Sequence, residues 1–130
     1  MEFFSEQLEL DVSKTLERFL AIQAMGSDNA RKDAKTIKLA IQQFPRPSPI
    51  ALTAGLDMLL NIDLREQLKT LSIPCQMFFG RLDTLVPDKV VAAVLQLNSK
   101  ILIEIINDAS HAPFISNTEV FAKSLIGAVD

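Results

Sequence analysis

Several features that would assign a protein to a class at once are scarce or missing in this chain. It has one cysteine, Cys75, so an intrachain disulfide is excluded and a reducing compartment is indicated. No apolar run is long enough to cross a bilayer, and no basic stretch followed by an apolar one comes after Met1, so no secretory signal is expected. The formal net charge of −3 argues against nucleic-acid binding. We therefore expect a cytoplasmic protein without nucleic-acid or membrane partners.

The size and composition are those of one globular domain. The 130 residues are 48% hydrophobic and 22% charged, which allows a real core and argues against disorder. The pattern changes near residues 71–74. Residues 1–70 read as a helical region, and residues 71–130 read as alternating strand and helix, so an α/β class is expected.

The helical region is predicted to contain four short helices. In the first, Val12, Leu16, Phe19, Leu20 and Gln23 recur at helical spacing, with Gly26 as the stop. Ser27 or Asp28 is expected to cap the second helix. Its apolar stripe is Ala30, Ala34, Ile37 and Ile41. Ser48 with Pro49 predicts the start of a third helix, and Asp63 with Glu66 predicts a capping box for a fourth.

The second region predicts a parallel strand pair. Residues 75–79 and 101–106 are nearly continuous apolar runs, typical of strands covered on both faces, and Cys75 is expected to be a buried, inert thiol. A helix from Pro87 between them implies a right-handed crossover. This helix is expected to bury Val90, Val91, Val94 and Leu95. Ser116 with Glu119 predicts a capping box for a last helix, through Phe121, Leu125 and Ala128.

Asp83 and His111 are the candidate catalytic residues, because each follows one of the two predicted strands. Functional residues of parallel sheets lie beyond the carboxyl ends of the strands, where two loops can bring an Asp and a His into contact. A catalytic triad needs such a pair, since the carboxylate orients the imidazole that acts as base. Taken singly, Asp83 is equally explained as a turn residue, and His111 as a hydrogen-bonded structural histidine.

Three segments resemble the pimeloyl-[acyl-carrier protein] methyl ester esterases, which are α/β-hydrolases of biotin synthesis. They are residues 80–87 (Gly-Arg-Leu-Asp-Thr-Leu-Val-Pro), 89–91 (Lys-Val-Val) and 111–116 (His-Ala-Pro-Phe-Ile-Ser). The likeness continues through residues 17–21, 25–26 and 63–65. It implies the C-terminal part of an α/β-hydrolase fold, without the N-terminal core. Residues 1–70 would be the helical cap (lid), and residues 71–130 the last two strands and their helices.

The resemblance also implies roles for individual residues. Asp83 would be the triad acid and His111 the general base. The segment lining the acyl-chain pocket would be Phe19, Leu20, Ala21, Ile22 and Gln23. The cations holding the acidic carrier protein would be Lys14, Arg18, Arg31 and Lys35, two of them Lys where the family example has Arg. Each pair is spaced i,i+4 and shares a helix face. Apart from the resemblance, a solvated basic face explains them as well. No metal or organic cofactor is implied.

The nucleophile of such a triad is not in this sequence. In the chain, the triad residues follow the order Ser, then the acid, then His. The 130 residues contain no Gly-x-Ser-x-Gly motif to supply the Ser. We therefore expect the isolated chain to be inactive. We also expect it to self-associate through bare strand edges and apolar faces, whereas the full enzyme would be monomeric.

Two other functions remain open from the sequence. One is an α/β-hydrolase of different substrate class, such as a short-chain esterase or a lactonase. The other is a non-catalytic truncated chain whose helical cap binds an acidic carrier protein.

Overall fold

The computed structural model describes residues 11–45 and 47–127. Helices occupy the described part before residue 71, and a small parallel sheet with its helices follows. In chain order, the elements are α1 (Val12–Ala24), α2 (Ala30–Ile41), α3 (Pro49–Asn61), α4 (Arg65–Thr70), β1 (Gln76–Gly80), α5 (Val90–Leu97), β2 (Leu102–Ile106), α6 (Pro113–Ser116) and α7 (Thr118–Gly127). The mixed α/β class expected from the sequence is confirmed.

The sheet of the described residues has two strands, β1 and β2, which are adjacent and parallel. Gln76 lies opposite Leu102, and Gly80 lies opposite Ile106. The predicted parallel pair is therefore confirmed. Because the strands run in the same direction, the loops that leave their carboxyl ends start at the same edge of the sheet.

One face of the sheet packs against α5. Phe79, Val94 and Ile101 form the buried centre of this core. The partly buried side chains around it are Leu68, Cys75, Met77, Val90, Val91, Ile103 and Ile105. The expected burial of Leu95 is wrong: it is 38% exposed, because one helical position turns it about 100° away from Val94. Cys75 precedes β1 and is half-buried rather than fully buried, so it contributes to packing only at the edge of the core.

The other face of the sheet is covered by α7 over only part of its length. The rings of Phe78 and Phe121 lie 4.8 Å apart. The Ser124 hydroxyl donates a hydrogen bond to Glu104, which lies opposite Phe78. Leu102 is two positions before Glu104 and so on the same face, yet it is 62% exposed. The expectation of strands covered on both faces holds near Phe78 and is wrong at Leu102, which no helix of residues 11–45 and 47–127 covers.

The first two helices pack against each other, and Leu20 and Ala24 of α1 are buried. An exposed ion pair between Glu17 and Lys38 joins them at 2.5 Å. The turn that ends α1 contains Gly26 at φ 98°, in the left-handed region that favours glycine. The predicted first helix and its stop are therefore confirmed.

The N-terminus of α2 differs from the prediction. Asn29, rather than Ser27 or Asp28, occupies the N-cap position, and its side chain makes no capping hydrogen bond. The Ser27 hydroxyl accepts from the Asn29 amide at 3.1 Å and donates to Asp33 at 2.6 Å. Ser27 thus stabilises the turn from outside the helix, since three residues lie between Gly26 and the first residue of α2, Ala30.

The predicted start of α3 is confirmed, but the capping box of α4 is not. The Ser48 hydroxyl accepts from the Ala51 amide at 3.2 Å, with Pro49 in the first turn. Asp63 lies one residue before the N-cap Leu64 and binds Arg65 instead of capping the helix. The Arg65 side chain and backbone amide lower the pKa of the Asp63 carboxyl to about 2.

The last predicted helix is two helices in the structure, and its capping box is wrong as well. Ser116 ends α6, and its hydroxyl donates to the Asn117 side chain at 2.5 Å. The chain leaves helical geometry at Asn117 before α7 begins at Thr118. Ala128 lies outside the described residues.

Candidate active site

The loops that follow β1 and β2 are held together by backbone contacts. The Arg81 amide donates to the Ile106 carbonyl at 3.0 Å, and the Leu82 amide donates to the Ala109 carbonyl at 2.9 Å. Gly80 makes this approach possible, because a Cβ there would lie 2.0 Å from the carbonyl oxygen of Ser110. Only glycine therefore fits at the end of β1 without displacing the backbone of the neighbouring loop.

Asp83 divides its two carboxylate oxygens between the turn and the histidine. Oδ1 accepts from the backbone amides of Leu85 at 2.8 Å and Val86 at 3.0 Å. Oδ2 lies 2.8 Å from Nδ1 of His111. The Asp83 side chain is only 6% exposed. Asp83 is thus both a turn residue and the hydrogen-bonding partner of His111, so these two interpretations of Asp83 do not exclude each other.

His111 is held on one side and open on the other. Its backbone amide donates to the Gln23 carbonyl at 3.3 Å, and its side chain is 33% exposed. When a carboxylate accepts the Nδ1 proton of a histidine, Nε2 carries the lone pair and can act as a base. The contact predicted between Asp83 and His111 is confirmed, and its geometry is that of an oriented imidazole.

Arg81 adds a second link between the two loops. Its guanidinium donates to the Asn107 side chain at 2.8 Å and to Asp88 at 3.2 Å. Asn107 directly follows β2, and Asp88 precedes α5. Both partners are polar residues of turns, and no sequence pattern pointed to this network.

The predicted acyl-pocket segment does not form one surface in the structure. Residues 19–23 are consecutive in α1, so they point in different directions at about 100° per residue. Leu20 is buried against α2, Ala21 is exposed, and Phe19 and Ile22 are half-buried. Gln23 contacts the candidate site through its backbone carbonyl, which accepts from the His111 amide.

An apolar cavity of about 480 Å³ lies between α1, α2 and the beginning of α3. Its lining includes Leu16, Leu20, Ile41 and Leu52, but no residue of the loops that carry Asp83 and His111. Leu20 is therefore directed into a cavity that the two catalytic candidates do not border.

The four predicted carrier-binding cations are all exposed. Lys14 and Arg18 are on α1, on the side turned away from buried Leu20. Arg31 and Lys35 are on α2, outside the half-buried stripe of Ala30, Ala34, Ile37 and Ile41. The helix faces predicted from their spacing are therefore available to solvent.

Residues 11–45 and 47–127 contain neither a metal-binding cluster nor a membrane-spanning helix. No group of three His, Cys, Asp or Glu side chains in this part of the chain is arranged to hold a metal ion. None of the helices described there has the length and apolar character needed to cross a bilayer.

Comparison with known proteins connects the chain to one group of enzymes. It is 49% identical over 127 residues to the pimeloyl-[acyl-carrier protein] methyl ester esterase of Pseudoalteromonas atlantica, covering 97% of this chain. Proteins of the same name from Vibrio cholerae and Aliivibrio fischeri are 44% and 48% identical over 95% and 94% of the chain. No family model matches.

The chain spans about half the length of these curated relatives: 49%, 48% and 48%, respectively. The resemblance inferred from residues 80–87, 89–91 and 111–116 is confirmed, because the chain is homologous to these esterases over nearly all of its own length.

Proposed function

We propose that this chain supplies the acid and the base of a serine-esterase triad, Asp83 and His111, in an α/β-hydrolase. The observation that carries the proposal is the buried Asp83 carboxylate, 2.8 Å from Nδ1 of a partly exposed His111. The pair lies beyond the carboxyl ends of two parallel strands, and the acid precedes the base in the chain. Triads of this fold have that order and that location.

The nucleophile is proposed to be a serine in the part of the relatives' length that this chain does not span, placed before Asp83 by the chain order of such triads. Its hydroxyl attacks the ester carbonyl while Nε2 of His111 takes the proton, and Asp83 stabilises the resulting imidazolium. His111 then protonates the departing alkoxide, which leaves as methanol. Water attacks the acyl-enzyme with His111 again as base, so that the acid is released and the serine regains its proton.

The substrate proposed for the whole protein is the methyl ester of a pimeloyl chain on an acyl-carrier protein, in biotin synthesis. The relatives bear that activity in their names. Residues 1–70 are proposed as the helical lid, in which the segment 19–23 contributes to the acyl-chain pocket. Lys14, Arg18, Arg31 and Lys35 are proposed to meet the acidic carrier. Residues 71–130 are proposed as the C-terminal part of the catalytic core.

The experiment uses a chimera in which this chain replaces the matched part of the Pseudoalteromonas atlantica relative. We expect the chimera to hydrolyse pimeloyl-[acyl-carrier protein] methyl ester, and the isolated chain to be inactive. His111→Ala should lower kcat of the chimera by about 10⁴-fold or more. Asp108→Asn, a change of an exposed carboxylate after β2, is the matched control and should leave kcat unchanged.

Two results would redirect the assignment. A chimera that hydrolyses p-nitrophenyl butyrate but shows no preference for the carrier-bound ester would indicate a short-chain esterase. A chimera that binds the carrier protein in low salt but hydrolyses neither ester would indicate a carrier-binding chain. The exposed cations of α1 and α2 are the observation that favours this second candidate.

A further inference from the structure

We propose that the turn at the end of α1, residues 23–26, is a positioning element for the Asp83–His111 pair, with Gly26 as its decisive residue. We call residues 23–26 the α1 turn. The inference rests on the proposed function, because it assigns the α1 turn a role in the same chemistry. In this role, the α1 turn acts through backbone contacts with the two loops.

The α1 turn contacts both loops of the candidate site. The carbonyl of Gln23 accepts a hydrogen bond from the amide of His111, the base itself, at 3.3 Å. Gly26 lies against Leu82, the residue before the acid: a Cβ on Gly26 would be 2.7 Å from the Leu82 carbonyl oxygen. Gln23 and Gly26, three positions apart in the chain, therefore contact the base and the neighbour of the acid.

Two independent features require glycine at position 26. Its φ of 98° is in a region that L-residues rarely adopt. An added Cβ would also meet backbone, the Leu82 carbonyl, which cannot move aside as a flexible side chain can. Gly55 and Gly127 have no atom within 4 Å of such a Cβ. Gly26 is thus tied to the site by tertiary contact, unlike these two glycines.

A side chain added at residue 26 would affect the two loops of the candidate site differently. His111 remains anchored to Gln23, whereas Leu82 must move away from residue 26 and takes Asp83 with it. The distance between Asp83 Oδ2 and His111 Nδ1 then increases, and the imidazole is less often in the orientation that catalysis needs. Substrate contacts are unchanged, so kcat should fall while KM stays near its original value.

The kinetic experiment compares three variants in the chimera. Gly26→Ala should lower kcat by about 10- to 100-fold with little change in KM. Gly55→Ala, in the exposed helix α3, is the matched glycine control and should retain full kcat. Val94→Ala removes buried packing from the core on α5 and controls for a general loss of stability.

The second readout is the Nδ1 proton of His111, measured by NMR in the 130-residue chain. In the unmodified chain, the bond to Asp83 should give a downfield resonance, and the His111 amide should exchange slowly because Gln23 accepts its proton. Gly26→Ala should move or broaden the downfield resonance, whereas Val94→Ala should leave it in place. If Gly26→Ala does not give a helical circular-dichroism spectrum, Gly26→Asn repeats the test, because asparagine tolerates positive φ better than alanine.

The positioning role of the α1 turn and the proposed function can be overturned independently of each other. If Gly26→Ala leaves kcat and the His111 resonance unchanged, the α1 turn has no positioning role. The same holds if Val94→Ala changes kcat and the resonance as much as Gly26→Ala does. In either case the triad proposal stands. Fast exchange of the His111 amide in the unmodified chain would also overturn the positioning role. If the chimera is inactive but Gly26→Ala still moves the resonance, the proposed function fails while the positioning of His111 by the α1 turn stands.

Discussion

Gly80 and Ser110 are in direct backbone contact at the carboxyl edge of the sheet: a Cβ on Gly80 would lie 2.0 Å from the Ser110 carbonyl oxygen and 2.5 Å from that of Ala109. Gly80 ends β1, and Ser110 immediately precedes His111. This contact brings the loop that carries the acid against the loop that carries the base. The same contact therefore supports both the local fold and the geometry of the candidate site.

Gly80→Ala should destabilise the chain strongly, because the methyl group meets backbone from two residues. We expect the free energy of unfolding to fall by about 3 kcal/mol or more. Urea unfolding followed by circular dichroism measures it. Gly55→Ala, in the open surface of α3, should instead be neutral or stabilising by up to about 1 kcal/mol. A Gly80→Ala chain with the original urea midpoint would contradict the contact between the two loops.

Asp83→Asn tests the orientation of His111. Its amide can still accept from Leu85 and Val86 through oxygen, but the NH₂ group at the position of Oδ2 would donate to Nδ1. His111 then holds its proton on Nε2, which can no longer act as base. We expect kcat of the chimera to fall by about 10⁴-fold with the fold preserved. Steady-state kinetics measure this, and Asp108→Asn serves as control. A loss below tenfold would show that Asp83 only stabilises its turn.

Charge reversal on α1 and α2 tests the proposed carrier surface. Arg18→Glu and Arg31→Glu together should raise Kd for the acyl-carrier protein by about tenfold or more and weaken its dependence on salt. Hydrolysis of a small ester by the chimera should be unchanged. Lys100→Glu with Lys123→Glu, at two exposed lysines outside α1 and α2, changes the net charge equally and is the matched control. Equal loss of carrier binding in both proteins would mean that net charge, rather than these helix faces, governs the interaction.

Exposed apolar side chains predict self-association of the isolated chain. In the segment from α3 to α4, Ile50 is 83%, Leu59 69% and Leu64 61% exposed, and apolar surface of this extent favours association. Sedimentation velocity should show larger species as the concentration rises. Ile50→Lys with Leu59→Lys should shift the distribution toward monomer. A wild-type chain that sediments as a monomer at 100 μM would show that this surface does not drive association.

The carboxyl of Asp63 should titrate near 2 rather than at the ordinary value of 3.8, because the Arg65 side chain and amide bind its ionised form. A lowered folded-state pKa means that this contact stabilises the chain above the ordinary pKa and is lost as the pH falls toward 2. Carboxyl-carbon NMR measures the midpoint, and Arg65→Ala should move it back toward 3.8. The pair is exposed, so screening by salt should weaken the shift. An identical midpoint in both chains would contradict the contact.

Local patterns in the sequence determined where most elements lie. Helical spacing placed α1 up to its stop at Gly26, Ser48 with Pro49 placed the start of α3, and the two apolar runs placed the parallel strands. These predictions succeeded because periodicity and capping depend on residues close in the chain. The other helix starts were wrong. The helix predicted from Pro87 begins at Val90, and Ser27, Asp63 and Ser116 each bind a side chain that the capping motif does not reveal.

The pairing of Asp83 with His111 was predictable, because parallel strands must end at one edge of a sheet. The sequence alone thus determined the two candidates, their order in the chain and the family they resemble. Tertiary structure alone decided how they are held: Gly26 against Leu82, Gln23 against His111, and Gly80 against Ser110. These are backbone contacts between segments distant in the chain. Backbone atoms are the same in every residue, so no side-chain pattern indicates where two distant segments will make a backbone contact.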